Sequence, residues 1–133
     1  ETNLKVAPST IPGAGLGLFS VKTIEVTRAQ RAAGVRIIKY TGEQLTNEQV
    51  NARYGVGPRP YVLGLRRPAG MNVDARSTQS SVARYCNAGD RPGHGLTCNA
   101  RFTETGWLVA TRTIPAGAEI ITKYGGGYWR SFN

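Results

Sequence analysis

Glycine and proline set the limit on what this chain can build. Its 133 residues include 17 glycines and 7 prolines, distributed along the whole length. Glycine weakens helix interiors and proline breaks them, so long helices are excluded and short segments joined by turns are expected. The segments between the breaks are rich in β-branched and aromatic residues. Leu4 to Val6 reads as a strand, the glycine run from Ile11 to Phe19 leads into another, and Val35 to Tyr40, Tyr61 to Leu65, Trp107 to Ile114 and Glu119 to Tyr124 all read as strands. The last two are read as a hairpin, with Pro115-Ala116-Gly117-Ala118 as its tight turn.

One helix is predicted. Thr46-Asn47-Glu48-Gln49 has the form of a capping box, and Gly55 stands where a glycine stop belongs. Val50 and Tyr54, four apart, share its buried face. Ser80 to Cys86 reads as a helical turn or two, and Asp90 to Gly95 as a loop. The fold class is therefore mainly β: several small sheets with short helices, in a chain the size of one domain, residues 1–133.

Lys and Arg total 17 against 8 Asp and Glu, a net charge of +9 that favours contact with polyanions such as nucleic acid. Cys86 and Cys98 are too few for a disulfide framework. With His94, a loop histidine read as solvent-exposed, they give three soft ligands, one short of a closed zinc site, so no metal is expected. No apolar run approaches the ~20 residues needed to span a bilayer. No signal peptide is visible, so reduced thiols in the nucleus or cytoplasm are expected and membrane contact is not.

Four segments in register resemble the SET family of protein-lysine methyltransferases. They are Gly13-Ala14-Gly15-Leu16-Gly17-Leu18-Phe19; Tyr40-Thr41-Gly42-Glu43; Arg84-Tyr85-Cys86-Asn87-Ala88-Gly89 with Cys98-Asn99-Ala100; and Ala116-Gly117-Ala118-Glu119-Ile120-Ile121-Thr122-Lys123-Tyr124-Gly125. The small size and the Gly-x-x-Tyr-Trp ending resemble the minimal viral members. Asn87-Ala88-Gly89 stands where the family writes Asn-His-Ser, and no cysteine cluster flanks the motifs.

The resemblance implies a SET β-fold in which the C-terminal segment threads a loop, as in a pseudoknot. It implies methyl transfer from S-adenosylmethionine to a lysine of a histone or other protein substrate, with nucleosomal DNA as a possible further contact. Tyr124 matches the family's catalytic tyrosine and Tyr61 an aromatic of its lysine channel. Thr122 stands where a Phe or Tyr tunes the product, and its smaller side chain implies room for more than one methyl group. Ala14, Gly15 and Leu16 match the cofactor loop. Arg84, Asn87 and Ala88 match the segment holding the cofactor's amino-acid end and adenine, and Trp129 is read as stacking on adenine or anchoring the C-terminus. Glu43 and Glu119 are read as structural and Trp107 as core. The rival reading is an inactive SET-like basic module that binds nucleic acid or chromatin.

Overall fold

The computed structural model describes residues 3–55, 59, 61–77, 80–89 and 97–123. Strand β1 (Leu4–Pro8) and strand β2 (Leu16–Ser20) pair antiparallel around the glycine-rich loop. After a 3-10 turn at Arg28–Gln30 come β3 (Val35–Lys39), β4 (Glu43–Thr46) and the helix α1 (Asn47–Tyr54). Strands β5 (Val62–Gly64) and β6 (Met71–Asp74) follow, then a second 3-10 turn at Val82–Tyr85. The remaining strands are β7 (Asn87–Ala88), β8 (Ala100–Phe102), β9 (Trp107–Ala110) and β10 (Ile121–Thr122). They form four small sheets among the described residues: β1-β2, β3-β9-β8, β4-β6-β5 and the parallel pair β7-β10.

The helix forms where the capping box places it. Thr46 Oγ1 accepts from the Gln49 N–H at 3.2 Å, and Gln49 Oε1 accepts from the Thr46 N–H at 2.8 Å. Val50 is buried beneath it, Tyr54 is half-buried, and Gly55 ends it with φ 65°. The central core joins the sheets through Leu18, Leu108, Ile114 and Ile120, all fully buried. Each such side chain contributes about 1.5–3 kcal/mol by leaving water. Trp107 lies half-buried at the edge of this core, flanked by the Arg36 guanidinium at 4.4 Å and the Lys39 ammonium at 5.7 Å. The Cys86 thiol donates to the Ile120 carbonyl at 3.4 Å and the Cys98 thiol to the Thr122 carbonyl at 3.1 Å.

The expected C-terminal hairpin does not form. The turn itself is present: the Ala118 N–H donates to the Pro115 carbonyl at 3.1 Å, with Gly117 in the left-handed region at φ 83°. The two strands diverge from it. β9 is already paired on both edges, by β3 and by β8, so the returning chain has no free edge there. It crosses to β2 instead. The Gly117 N–H donates to the Ser20 carbonyl at 2.7 Å and the Ile120 N–H to the Leu18 carbonyl at 2.8 Å.

From there β10 runs between the two limbs of the loop that joins β7 to β8. On one edge it pairs with Asn87 and Ala88, and its Thr122 carbonyl accepts from the Gly89 N–H at 3.0 Å. On the other, the Ile121 carbonyl accepts from the Asn99 N–H at 2.9 Å, and the Ile121 N–H donates to Asn99 Oδ1 at 2.8 Å. Those contacts on both edges hold the C-terminal segment in the threaded position.

A buried carboxylate ties α1 to the β4-β6-β5 sheet. Asp74, at the end of β6, is 2 % exposed. It accepts from Tyr54 Oη at 2.6 Å, Arg53 Nη1 at 2.9 Å and the Arg76 N–H at 3.0 Å. Burial alone pushes its pKa up; the hydrogen bonds from Tyr54, Arg53 and Arg76 outweigh this and hold it below the usual carboxylate range. A carboxyl whose folded pKa is depressed stabilises fully above its unfolded value, about 4, and that stability is lost as pH falls through the lower folded value. Asp74→Ala is expected to cost about 2 kcal/mol at pH 7, less than for a fully buried pair because Arg53 keeps Glu43. Thermal melts between pH 7 and pH 3 check this: the parent should lose more stability on acidification than the variant.

Candidate functional site

Two features adjoin the β7-β10 crossing: an aromatic cavity, lined in part by Cys86 and Lys123, and an open glycine loop, tied to the crossing by Asn87. The cavity is about 420 Å³ and is lined by Tyr40, Tyr61, Leu63, Cys86 and Phe102, among others. Tyr40, ending the β3 segment, is 7 % exposed, and its ring meets Phe102 edge-to-face at 5.4 Å and 88°. Such walls suit a long alkyl stem and leave little room for water.

Tyr61 is held in an unusual backbone conformation. Its φ of 68° is positive, the only such non-glycine residue among those described. Two donors fix its carbonyl: Tyr40 Oη and the Ala75 N–H at 2.9 Å. A left-handed tyrosine costs on the order of 1–3 kcal/mol, and such positions concentrate at ligand sites. The conformation leaves the Tyr61 side chain 39 % exposed, with its ring lining the cavity.

Arg84 lines the same cavity. Its guanidinium lies 4.0 Å from the Tyr61 ring centroid and 4.7 Å from that of Tyr85. Nε donates to the Ala75 carbonyl at 2.6 Å and Nη2 to the Arg76 carbonyl at 3.0 Å. Arg101 and Lys123 also line the cavity, and no carboxylate does among the described residues. The Cys86 thiol is fully buried, and desolvation pushes its pKa far above the usual thiol range, so it is an inert wall rather than a nucleophile.

The glycine loop is the second feature. Its neck is closed by the Ser9 N–H donating to the Gly15 carbonyl at 2.7 Å, and its tip by the Ala14 N–H donating to the Ile11 carbonyl at 3.1 Å. Gly13 and Gly15 have φ of 76° and 72°, and a Cβ on either would meet nothing within 4 Å. Backbone with open space above it is what close approach by a ligand requires. Leu16 is 48 % exposed beside it. Asn87 reaches across to this loop, its Nδ2 donating to the Leu16 carbonyl at 2.8 Å.

The residues singled out from the sequence thus fall into two groups. Ala14, Gly15, Leu16 and Asn87 gather at the glycine loop, with Ala88 paired to Thr122 behind Asn87. Tyr61 and Arg84 gather at the aromatic cavity, whose lining does not include Asn87. Thr122 is fully buried, and its Oγ1 has no hydrogen-bond partner among the described residues. Tyr124, Trp129 and His94 lie outside the described residues. Sequence reasoning missed Tyr40 and Phe102 as cavity walls. Tyr40 stands in the quoted Tyr-Thr-Gly-Glu motif, whereas nothing in the sequence marks Phe102.

The SET domain family model matches residues 15–125, most of the chain, including the aromatic cavity and the glycine loop from Gly15 onward. The chain belongs to the SET domain family. No curated protein sequence matches it. Its fold recurs in solved structures of polycomb repressive complex 2. An active complex in the stimulated state aligns with a TM-score of 0.69 at 24 % identity, over 92 % of this chain and 15 % of that one. Two structures of the Chaetomium thermophilum complex align with a TM-score of 0.67 at 24 % identity. One, autoinhibited and bound to S-adenosylmethionine, matches over 93 % of this chain and 15 % of that one. The other, with H3K27me3 and H3K27M, matches over 92 % and 14 %. The SET domain chain therefore spans about 15 % of the length of these structural relatives.

Proposed function

We propose that this chain is a single SET domain that methylates a lysine of a histone or other chromatin protein, taking the methyl group from S-adenosylmethionine. The observation that carries the reading is that residues adjoining the threaded strand β10 take part in both an aromatic cavity and an open glycine loop. A histone target is favoured by the H3-bound relative.

The residues present fit the donor. The clear space above Gly13 and Gly15 admits a ligand against bare backbone, and Leu16 and Ala14 flank it. Asn87 lies beside this space, and Ala88 behind it. When bound, S-adenosylmethionine supplies an electrophilic methyl group on a sulfonium. This chain's residues have then to deliver a neutral amine in line. A free lysine has a pKa near ~10.4 and carries a proton at pH 7. Tyr61, Tyr40 and Phe102 exclude water from its stem, and Arg84 and Lys123 disfavour a second cation beside them. Both effects favour release of the proton. Tyr124 follows Lys123 directly in the sequence and is assigned the role of orienting the amine through its phenol oxygen.

The cationic lining does not itself recruit a basic histone tail. Nucleosomal DNA, drawn to the +9 chain, is the recruiting partner in this reading. The test is incubation with labelled S-adenosylmethionine and a panel of free histones and nucleosomes, alongside calorimetry of cofactor binding. Label on lysine is expected, strongest on nucleosomes and falling steeply with added salt. Cofactor binding without any transfer would favour an inactive chromatin-binding module, and no cofactor binding would refute the enzyme reading.

Thr122 carries a further expectation. Its side chain is smaller than the Phe or Tyr that the family carries at this position, so mass spectrometry of the product should find dimethyl and trimethyl lysine. Thr122→Phe should shift the product toward monomethyl by severalfold. Only monomethyl lysine from the parent would contradict this.

A further inference from the structure

We propose that Glu119 is a positioning residue for the cofactor loop, an anionic hub that holds the glycine loop and Asn87 in binding geometry. The inference rests on the reading of that loop as the S-adenosylmethionine site. Glu119 is 6 % exposed at the start of the C-terminal segment, where turn chemistry alone gives no reason for a carboxylate. Its side chain leaves its own segment and turns into the neck of the glycine loop. Oε1 accepts from the Thr10 N–H at 2.8 Å and from Thr10 Oγ1 at 2.6 Å. Oε2 accepts from Ser9 Oγ at 2.7 Å and from Asn87 Nδ2 at 3.4 Å.

The same Asn87 nitrogen donates to the Leu16 carbonyl, so one carboxylate joins the loop's entry, its exit and β7. Gly17 completes the arrangement. A Cβ there would lie 2.3 Å from Glu119 Oε2, so the carboxylate occupies the place a side chain would take. Neither Ser9, Thr10 nor Glu119 opens onto the clear space above Gly13 and Gly15 through any contact described. Their effect on a ligand there runs through the loop.

The hydrogen bonds from Thr10 and Ser9 outweigh burial and hold the Glu119 carboxyl below its ordinary range, so it is ionised at neutral pH. An ionised acceptor with donors on both oxygens fixes the backbone more firmly than a neutral one, because charge-assisted bonds are the stronger kind.

The experiment uses the full chain with Glu119→Gln, which keeps the shape and one carbonyl oxygen but introduces an amide donor facing donors. Calorimetry with S-adenosylmethionine should show Kd raised about tenfold or more, and the kinetic effect should fall on the cofactor KM more than on kcat. Hydrogen exchange, measured without cofactor, should speed up at the Thr10 to Gly15 amides by tenfold or more, while the β3-β9-β8 sheet stays protected. Val109→Ala, a cavity in the core away from the loop, is the control for general softening. It should lower the melting temperature with cofactor Kd within about twofold of the parent. Unchanged loop exchange in Glu119→Gln overturns the hub, and so does an equal loss of affinity in Val109→Ala. If the parent itself binds no S-adenosylmethionine, the assignment of the loop fails with it, whereas binding by the parent and equal binding by Glu119→Gln sinks this inference alone.

Discussion

Phenylalanine in place of Tyr124 is expected to cut labelled-methyl transfer by on the order of 100-fold or more, with cofactor Kd and melting temperature little changed. A single preorganised polar contact to the reacting group typically contributes 10²–10³ in rate. Thr122 is locked between Ala88 and the Cys98–Asn99 limb, and Lys123 lines the aromatic cavity, so the assigned phenol is the next residue in the sequence. Phenylalanine keeps the ring and removes only the oxygen. Transfer at the parental rate would remove Tyr124 from the chemistry and leave the amine to be oriented by the cavity alone.

The second large effect has opposite signs for stability and activity. At Tyr61 the chain accepts a positive φ that only glycine adopts freely, pinned by Tyr40 Oη and the Ala75 N–H. Tyr61→Gly relieves this strain, offsetting the lost ring contacts, so the melting temperature should hold or rise by a few degrees. The variant also opens one wall of the cavity and frees the Arg84 guanidinium from the ring 4.0 Å away. A stem no longer held in line loses about 100-fold in rate, because sub-ångström alignment governs the transfer. Thermal melts and transfer assays on the same preparation check both signs. A variant less stable and fully active would make Tyr61 a packing residue.

Much of the local structure was legible in the sequence, because it depends on neighbours. The Thr46–Gln49 capping box, the Gly55 stop, the turn at Pro115–Ala118 and the strand after the glycine run follow from residues a few positions apart. The C-terminal hairpin was misread for the complementary reason. A turn with strand-forming flanks predicts local pairing, but one edge of β9 is taken by Ala100–Phe102, the strand just before it, and the other by Val35–Lys39, distant in sequence. Motif resemblance, which carries long-range information, gave the threading that local chemistry does not.

The site divides in the same way. Gly15, Asn87 and Tyr61 are recognisable from motif position, and the structure gathers Gly15 with Asn87 at one feature and puts Tyr61 at the other. Arg84 goes with Asn87 in the sequence because both stand in the one segment that resembles the family's cofactor-holding motif. The 3-10 turn at Val82–Tyr85 aims it instead at Tyr61 and the carbonyls of Ala75 and Arg76. Glu119 read as a turn residue because its partners, Ser9 and Thr10, stand about 110 positions away. The +9 charge describes the whole chain, and only the folded arrangement puts Arg84, Arg101 and Lys123 around one cavity.

The aromatic cavity as a lysine channel is tested most directly by a co-crystal structure with S-adenosylhomocysteine and a lysine peptide taken from the labelled product. The account predicts the lysine stem between the rings of Tyr40, Tyr61 and Phe102, its amine pointing toward the sulfur of a ligand seated over Gly13 and Gly15. A lysine bound elsewhere, with those rings closed on one another and no passage to the glycine loop, would contradict it.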